Sequence, residues 1–214
     1  MSAEKLARLI EELRAAGIAD DKVLAAVERV PRELFVPATF RERACENVAL
    51  PIGHGQTISQ PFVVALMTQA LEVSARHLVL EIGTGSGYQA AVLAGLARRV
   101  FTVERHRAML AAAEQRFKQL RLSNIIARFG DGTKGWPEQP RFDRIIVTAA
   151  APAIPERLAA SLAEDGILVA PIGKEKRDQM LTRLRRTADR YVTEELGIVR
   201  FVPLVPGLPR AAAL

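Results

Sequence analysis

The chain has 214 residues, 49% hydrophobic and 25% charged, with a formal net charge of +6 and a sequence pI of about 10.0. That length supplies one well-buried core and is short for two, so one domain is expected, with residues 1–60 as N-terminal helices and cover and 61–214 as the core. A lone cysteine, Cys45, excludes an internal disulfide framework, and His54, His77 and His106 stand at no metal-ligand spacing, so no metal site is expected.

In chain order, Leu6, Leu9, Ile10 and Leu13 recur at helical spacing over residues 3–16, and Gly17 stops the run. The charges mixed into this segment deny it the apolar core of a secretion signal and the length of a membrane span, so a cytoplasmic protein is expected. A second helix should start at Asp20 and Asp21, turn Val23, Leu24 and Val27 inward and end before Pro31. Residues 31–58 hold Pro31, Pro37, Pro51, Gly53 and Gly55, which predicts a long irregular cover with at most short elements. A cover of that length inside a compact domain is usually functional.

A helix follows from Pro61 to Leu71. Strands are then expected at His77 to Ile82, Val100 to Glu104, Ile125 to Phe129, Arg144 to Thr148 and Ile167 to Ile172, with helical stretches between them. Strands separated by helices imply right-handed crossovers and a mostly parallel, doubly wound α/β sheet of the Rossmann-like kind. Two last β-rich runs, Gln179 to Thr187 and Tyr191 to Val205, are joined by Ala188-Asp189-Arg190 and predict an antiparallel C-terminal edge. The positive charge is dispersed in patches such as Arg183, Arg185 and Arg186, and aromatics are 5% of the chain. Such patches read as solvated surface, without the interleaved rings that stack bases, so nucleic acid is not the expected partner.

The strand Val79-Leu80-Glu81-Ile82 runs into Gly83-Thr84-Gly85-Ser86-Gly87, and a helix begins at Tyr88. Strand, glycine turn and helix form the general nucleotide-site geometry, because the glycines permit positive φ and close approach of a ligand to the backbone. Alone, the turn fits a dinucleotide site or a merely structural bend equally well. Two features turn the reading from a dinucleotide to S-adenosylmethionine: the G-x-G-x-G spacing, and the acid Glu81, which opposes a pyrophosphate and attracts a cationic amino acid end. Glu104 closes the next strand, where a carboxylate can accept from both ribose hydroxyls. Asp131, in Gly130-Asp131-Gly132, is placed to accept from an adenine amino group. Three acids at the C-terminal ends of successive parallel strands make one rim, where open α/β sheets bind ligands.

The segments GHGQTISQP (53–61), VLEIGTGSGYQ (79–89), VER (103–105), GDG (130–132), FDRIIVTAAAP (142–152), GILVAPIG (166–173), QML (179–181) and VRFVPLV (199–205) cover most of the chain. In them the chain resembles the protein-L-isoaspartate O-methyltransferases, and GQTISQP is the most specific part of the match. The resemblance implies S-adenosylmethionine at the C-terminal edge of the sheet, yielding S-adenosylhomocysteine. It implies as substrate the free α-carboxylate of L-isoaspartyl residues in damaged proteins and peptides; the methyl ester then closes unaided to a succinimide, which hydrolyses in part to normal aspartate. It assigns the active-site serine to Ser59. Cofactor contacts fall on Thr57, Ile58 and Ser59, on the glycine loop through Ser86, on Glu104 with Arg105, and on Asp131 with Gly132. By the same analogy Val202-Pro203-Leu204-Val205 runs near the cofactor, although a buried edge strand explains it equally well. The chain departs from many relatives at Lys174-Glu175-Lys176-Arg177-Asp178, where a small Gly/Ser turn is more usual.

A carboxylate acceptor is already ionised at neutral pH and needs no general base, so Ser59 suits orientation rather than nucleophilic attack. Thr57-Ile58-Ser59-Gln60-Pro61 also reads as a helix start with a Ser cap, and the two roles are compatible because a helix N-terminus favours an anion. His54, between two glycines, is left outside the site. A monomer is expected. Two other readings are a methyltransferase acting on nucleic acid or a small molecule, and a non-catalytic module that only binds the cofactor. Thr148-Ala149-Ala150-Ala151-Pro152 lacks the Asn/Asp-Pro-Pro-aromatic pattern of base-amine methylation, and the intact TISQP segment opposes the binding module.

Overall fold

Residues 3–139, 141–174 and 178–209 are described by a computed structural model. Helix α1 (Ala3–Ala15) buries Leu9 and Leu13, and α2 (Asp21–Arg29) buries Val23, Leu24, Ala26 and Val27. Asp20 caps α2 as its sequence implied, accepting the Lys22 N–H at 2.9 Å. Two 3-10 turns, Arg32–Phe35 and Ala38–Arg43, lead to a small antiparallel hairpin of β1 (Leu50–Gly53) and β2 (Gln56–Ile58). The expected irregular cover therefore contains one β-hairpin. Its turn is left-handed at Gly53, His54 and Gly55, with φ of 95°, 52° and 68°.

Helix α3 (Pro61–Ala70) starts on its proline, which has no N–H to leave unsatisfied. The cap expected at Ser59 is not formed. Gln60 is the N-cap, with ψ of 136°; its own side chain makes no cap bond, and the Phe62 N–H is met instead by the Asn47 side chain at 2.9 Å. The cause is steric: Pro61 drives the residue before it out of the helical region, so the boundary falls one residue later.

Strands β3 (Leu78–Ile82), β4 (Arg99–Glu104), β5 (Ile125–Phe129), β6 (Phe142–Val147) and β7 (Leu162–Ile172) run parallel. The strands β8 (Gln179–Arg186) and β9 (Tyr191–Val199) add antiparallel at one edge. The order is β5-β4-β3-β6-β7-β8-β9. The chain thus works outward from β3 and returns to place β6 on its other side, and the switch point lies between β3 and β6. The connecting helices are α4 (Tyr88–Ala94), α5 (Arg107–Gln119) and α6 (Glu156–Ala160).

Alternation along the strands divides the core. Val79, Val100, Ile146, Ile167 and Val169 pack against residues of α3, α4 and α5, whereas Leu80, Ile82, Phe101, Ile145 and Val147 pack on Trp136 and α6. Most strand ends fall within two residues of expectation, but two differ by more. β7 begins at Leu162 rather than Ile167, with an irregular register where Phe142 and Arg144 of β6 face it. β9 ends at Val199 rather than Val205. Beyond it the Gln179 side chain accepts the Phe201 N–H at 2.7 Å, and Val202 and Leu204 bond to Ala150 past the end of β6. That detour carries residues 202–205 over the switch point. Of the unusual run 174–178, residues 175–177 lie outside the described residues.

Candidate active site

A cavity opens at the C-terminal ends of β3, β4 and β6, where the switch point should place one. Its wall begins with the loop after β3, in which Gly83, Gly85 and Gly87 have φ of 99°, 54° and 91°. Positive φ is what a non-glycine resists, and here it folds the backbone back on β4: the Gly83 N–H donates to Val103 O at 2.9 Å. On the β6 side, Thr148 holds the loop by donating to Ile82 O and Gly83 O, at 2.9 and 2.7 Å. On the other side Glu104 accepts the Gly85 N–H at 2.8 Å and the His106 N–H at 2.9 Å. The loop is therefore preset from both flanking strands.

Of the residues expected at the cofactor, Thr57, Ile58, Ser59, Gly83, Thr84, Gly85, Ser86, Glu104, Arg105 and Gly132 line this cavity. Glu81, Gly87 and Asp131 do not. Gly87 is instead the left-handed N-cap of α4, so close to α5 that a Cβ there would stand 2.7 Å from the Phe117 ring. Asp131 uses one oxygen for the Thr133 N–H and hydroxyl, at 3.0 and 2.7 Å, and the other for the Gly207 N–H at 2.8 Å. Burial pushes its carboxyl up, but these hydrogen bonds outweigh burial and hold it below the usual range. Its carboxylate thereby shapes the turn that presents Gly132 to the cavity.

Glu81, read from sequence as a negative charge at the ligand, does not reach the cavity. It is fully buried behind the loop, and its Oε2 lies 2.5 Å from the Thr102 hydroxyl. Among the described residues its Oε1 has no partner. Burial, opposed by the Thr102 hydrogen bond and reinforced by the nearby Glu104, pushes its carboxyl up to about 8. At neutral pH and with no cation beside it, Glu81 is mostly a neutral acid.

Several lining residues were not singled out from sequence: Gln56, Val64, Tyr88, Gln89, His106, Thr148 and Ala149. Thr148 and Ala149 directly follow β6, the strand beside β3, which is the signal that could have found them. Val202 to Val205 line the cavity as the family analogy implied. His54, left outside, stacks on His106 with ring centroids 5.8 Å apart.

Ser59 sits at a junction. It is half-buried, and among the described residues its hydroxyl has no hydrogen-bond partner, while its carbonyl accepts from Arg32 at 2.9 Å. Arg32 itself is 2% exposed and also donates to the carbonyls of Ala44, Glu46 and Val48. A second cavity adjoins the first, lined by Ala49, Thr57, Ser59, Gln60, Val63, Asp178 and residues 198–202. Thr57, Ser59 and Val202 belong to both.

Comparison with known proteins agrees with this geometry. The family model for protein-L-isoaspartate(D-aspartate) O-methyltransferase matches residues 4–208. A protein-L-isoaspartate O-methyltransferase of Rhodospirillum rubrum is 61% identical over 204 residues, covering 94% of this chain and 93% of its own. One from Rhodospirillum centenum is 55% identical over 215 residues, covering 98% and 97%. Among solved structures, a protein-L-isoaspartate O-methyltransferase superposes with a TM-score of 0.84 at 29% identity, over 92% of this chain and 65% of that one. A Plasmodium falciparum protein carrying the same name, in complex with S-adenosyl-L-homocysteine, gives 0.80 at 26% identity over 92% and 97%. The match over nearly the whole length, together with the preset glycine loop at the switch point, shows that the chain belongs to the protein-L-isoaspartate(D-aspartate) O-methyltransferase family.

Proposed function

We propose that this methyltransferase holds S-adenosylmethionine in the inner cavity and admits the isoaspartyl peptide through the outer one, with Ser59 orienting the acceptor carboxylate where the two meet. The observation that carries this reading is that Thr57, Ser59 and Val202 line both cavities. The inner cavity suits the cofactor chemically. Glu104 retains lone pairs for ribose hydroxyls after accepting two backbone N–H groups, and the glycine loop offers a wall without side chains at Gly83 and Gly85. Arg105, whose Nε is buried and has no partner among the described residues, closes the wall beside Glu104, and Gly132 leaves room for a flat ring.

When bound, the cofactor supplies an electrophilic methyl group on a sulfonium, which passes to a carboxylate oxygen to give a methyl ester and S-adenosylhomocysteine. Because the acceptor is already ionised, the protein's work is alignment and removal of water from two charged partners. The segment 202–205, drawn across the switch point by its bonds to Ala150, helps exclude water. Arg32 fixes the Ser59 backbone, leaving the hydroxyl free to turn toward a carboxylate oxygen. The same reading makes the protein a cytoplasmic monomer that acts on peptides rather than nucleic acid. Among the described residues, no helix is long and apolar enough to cross a membrane.

Ser59→Ala tests the assignment. Loss of one orienting contact is expected to lower turnover on an isoaspartyl peptide by about tenfold to a hundredfold. The affinity for S-adenosylhomocysteine, measured by calorimetry, should stay within about twofold, since backbone rather than hydroxyl serves the cofactor there. Near-normal turnover in the variant would remove Ser59 from the role given to it.

A further inference from the structure

Behind the glycine loop, three hydrogen-bonded side chains lead from the cavity to the buried acid. Thr84 lines the cavity, its hydroxyl oxygen lies 2.6 Å from that of Thr102, and Thr102 lies 2.5 Å from Oε2 of Glu81. Thr84 is 3% exposed, and Thr102 and Glu81 are wholly buried. A hydroxyl has one proton to donate, so the row can be ordered in only two ways. With Glu81 neutral, its proton sits on Oε2, because Oε1 has no acceptor among the described residues to receive it; it points to Thr102, that of Thr102 points to Thr84, and Thr84 presents a donor to the cavity. With Glu81 ionised, Thr102 donates to Glu81, Thr84 donates to Thr102, and Thr84 presents lone pairs.

The surroundings select the neutral order when no cation is bound. Among the described residues Oε1 of Glu81 has no partner, and the carboxylate of Glu104 lies on the same face of β4 as Thr102. Helices α3, α4 and α5, which cover this face, carry the Tyr88 phenol on α4 and, on α5, the exposed Arg107, Glu114 and Lys118 and the half-buried Arg116, which is occupied by the carbonyls of Leu34 and Ser86. From β6 the neighbour in register is Ile146. Arg144, two residues earlier, is occupied by the carbonyls of Glu72, Asp143 and Asp165. The upward shift of the Glu81 carboxyl agrees with this arrangement.

We infer that Thr102 is a positioning residue that couples cofactor binding to ionisation of Glu81, the row reversing when the cationic amino acid end of the cofactor arrives beside Thr84. The inference rests on the cofactor reading above. The protons balance. As the row reverses, the Glu81 proton moves to Thr102, the former Thr102 proton moves to Thr84, and the former Thr84 proton leaves through the cavity to buffer. No other bond forms or breaks. Glu81 therefore serves the cofactor without touching the cavity, and Thr84 turns its lone pairs toward the positive charge.

The sign of the pH effect follows. An acid that titrates high in the free protein and lower in the complex releases a proton on binding between those two values. Affinity then rises with pH by up to about tenfold per unit and levels off once free Glu81 is ionised.

Calorimetry with S-adenosylhomocysteine as the probe, from pH 6 to 8.5 in two buffers of different ionisation enthalpy, counts released protons directly. The amino group of the probe also titrates in this range, so the informative quantity is the difference from Glu81→Gln. At pH 7 the wild-type protein should release about one proton more than Glu81→Gln. Thr102→Ser should match wild type, and Thr102→Val should match Glu81→Gln in both proton count and pH slope. Equal release by wild type and Glu81→Gln overturns the inference, as does wild-type behaviour in Thr102→Val. Should Thr102→Val fail to fold, as melting curves would reveal, the comparison of wild type with Glu81→Gln decides alone. If wild type binds no S-adenosylhomocysteine at any pH, the cofactor reading and the inference fall together; tight binding without a Glu81-dependent proton sinks only the inference.

Discussion

Arg32→Met is expected to destabilise the fold by about 3 to 5 kcal/mol, because each buried carbonyl left without a donor costs about 1 to 3 kcal/mol and some regain water. The guanidinium is 2% exposed and donates to four carbonyls, those of Ala44, Glu46, Val48 and Ser59, over distances of 2.9 to 3.4 Å. It also sits 5.8 Å from the centre of the Tyr88 ring. Among the described residues no carboxylate lies within ion-pair distance of it, so its charge is met by peptide dipoles and an aromatic face. Burial lowers its pKa, with Tyr88, Cys45 and Glu46 opposing. The bonds tie together the segment that ends in the β-hairpin and Ser59, and their loss should loosen the junction of the two cavities before the sheet. Arg32→Lys should rescue little, since an ammonium lacks the planar fork that reaches several carbonyls at once. Urea denaturation measures the effect; a loss below about 1 kcal/mol would mean that the guanidinium does not organise this cover.

Gly83→Ala is expected to weaken S-adenosylhomocysteine binding at least a hundredfold, equivalent to about 2.8 kcal/mol. Two causes act together. At φ of 99° a Cβ is strained whatever space is available, and the Cβ would also strike the Thr148 hydroxyl. That hydroxyl holds Ile82 O and Gly83 O, so pushing it aside releases the loop from β6. The double variant Gly83→Ala/Thr148→Ala separates the causes. It should recover part of the affinity, because the clash is gone while the backbone strain and the loss of the two Thr148 hydrogen bonds remain. Calorimetry on the two single variants and the double variant completes the cycle, and unchanged affinity in Gly83→Ala would show that the loop does not form the cofactor wall.

How far the sequence reached follows from which interactions are local. Strand and helix alternation, the cap at Asp20 and the glycine turn are local patterns, and each appears where the residues imply. The extent of β9 is not local. Nothing in Phe201 to Val205 states that the chain will leave the sheet edge to bond with Ala150, an arrangement set by the Gln179 side chain and the open end of β6. The first residue of α3, Pro61, was legible, but its cap was misplaced by one residue because the steric effect of Pro61 outweighs the capping preference of Ser59.

The rim of acids was legible as a pattern but not as chemistry. Glu104 faces the cavity, whereas Asp131 is consumed by Thr133 and Gly207. Glu81 is neutralised by burial, and protonation depends on neighbours that lie 21 and 23 residues away in the chain, Thr102 and Glu104. Thr102 carried no signal of its own, since a threonine in a strand is ordinary packing until the partner of its hydroxyl is known, whereas Thr148 was marked only by its place after β6.

The most direct test of the whole assignment is transfer of a labelled methyl group from S-adenosylmethionine by the wild-type protein to an isoaspartyl peptide, to its normal aspartyl twin and to RNA. Two cavities meeting at Ser59, with no general base required, predict label in the isoaspartyl peptide alone, released again as the ester closes to the succinimide. Equal labelling of both peptides, or labelling of RNA alone, would contradict it.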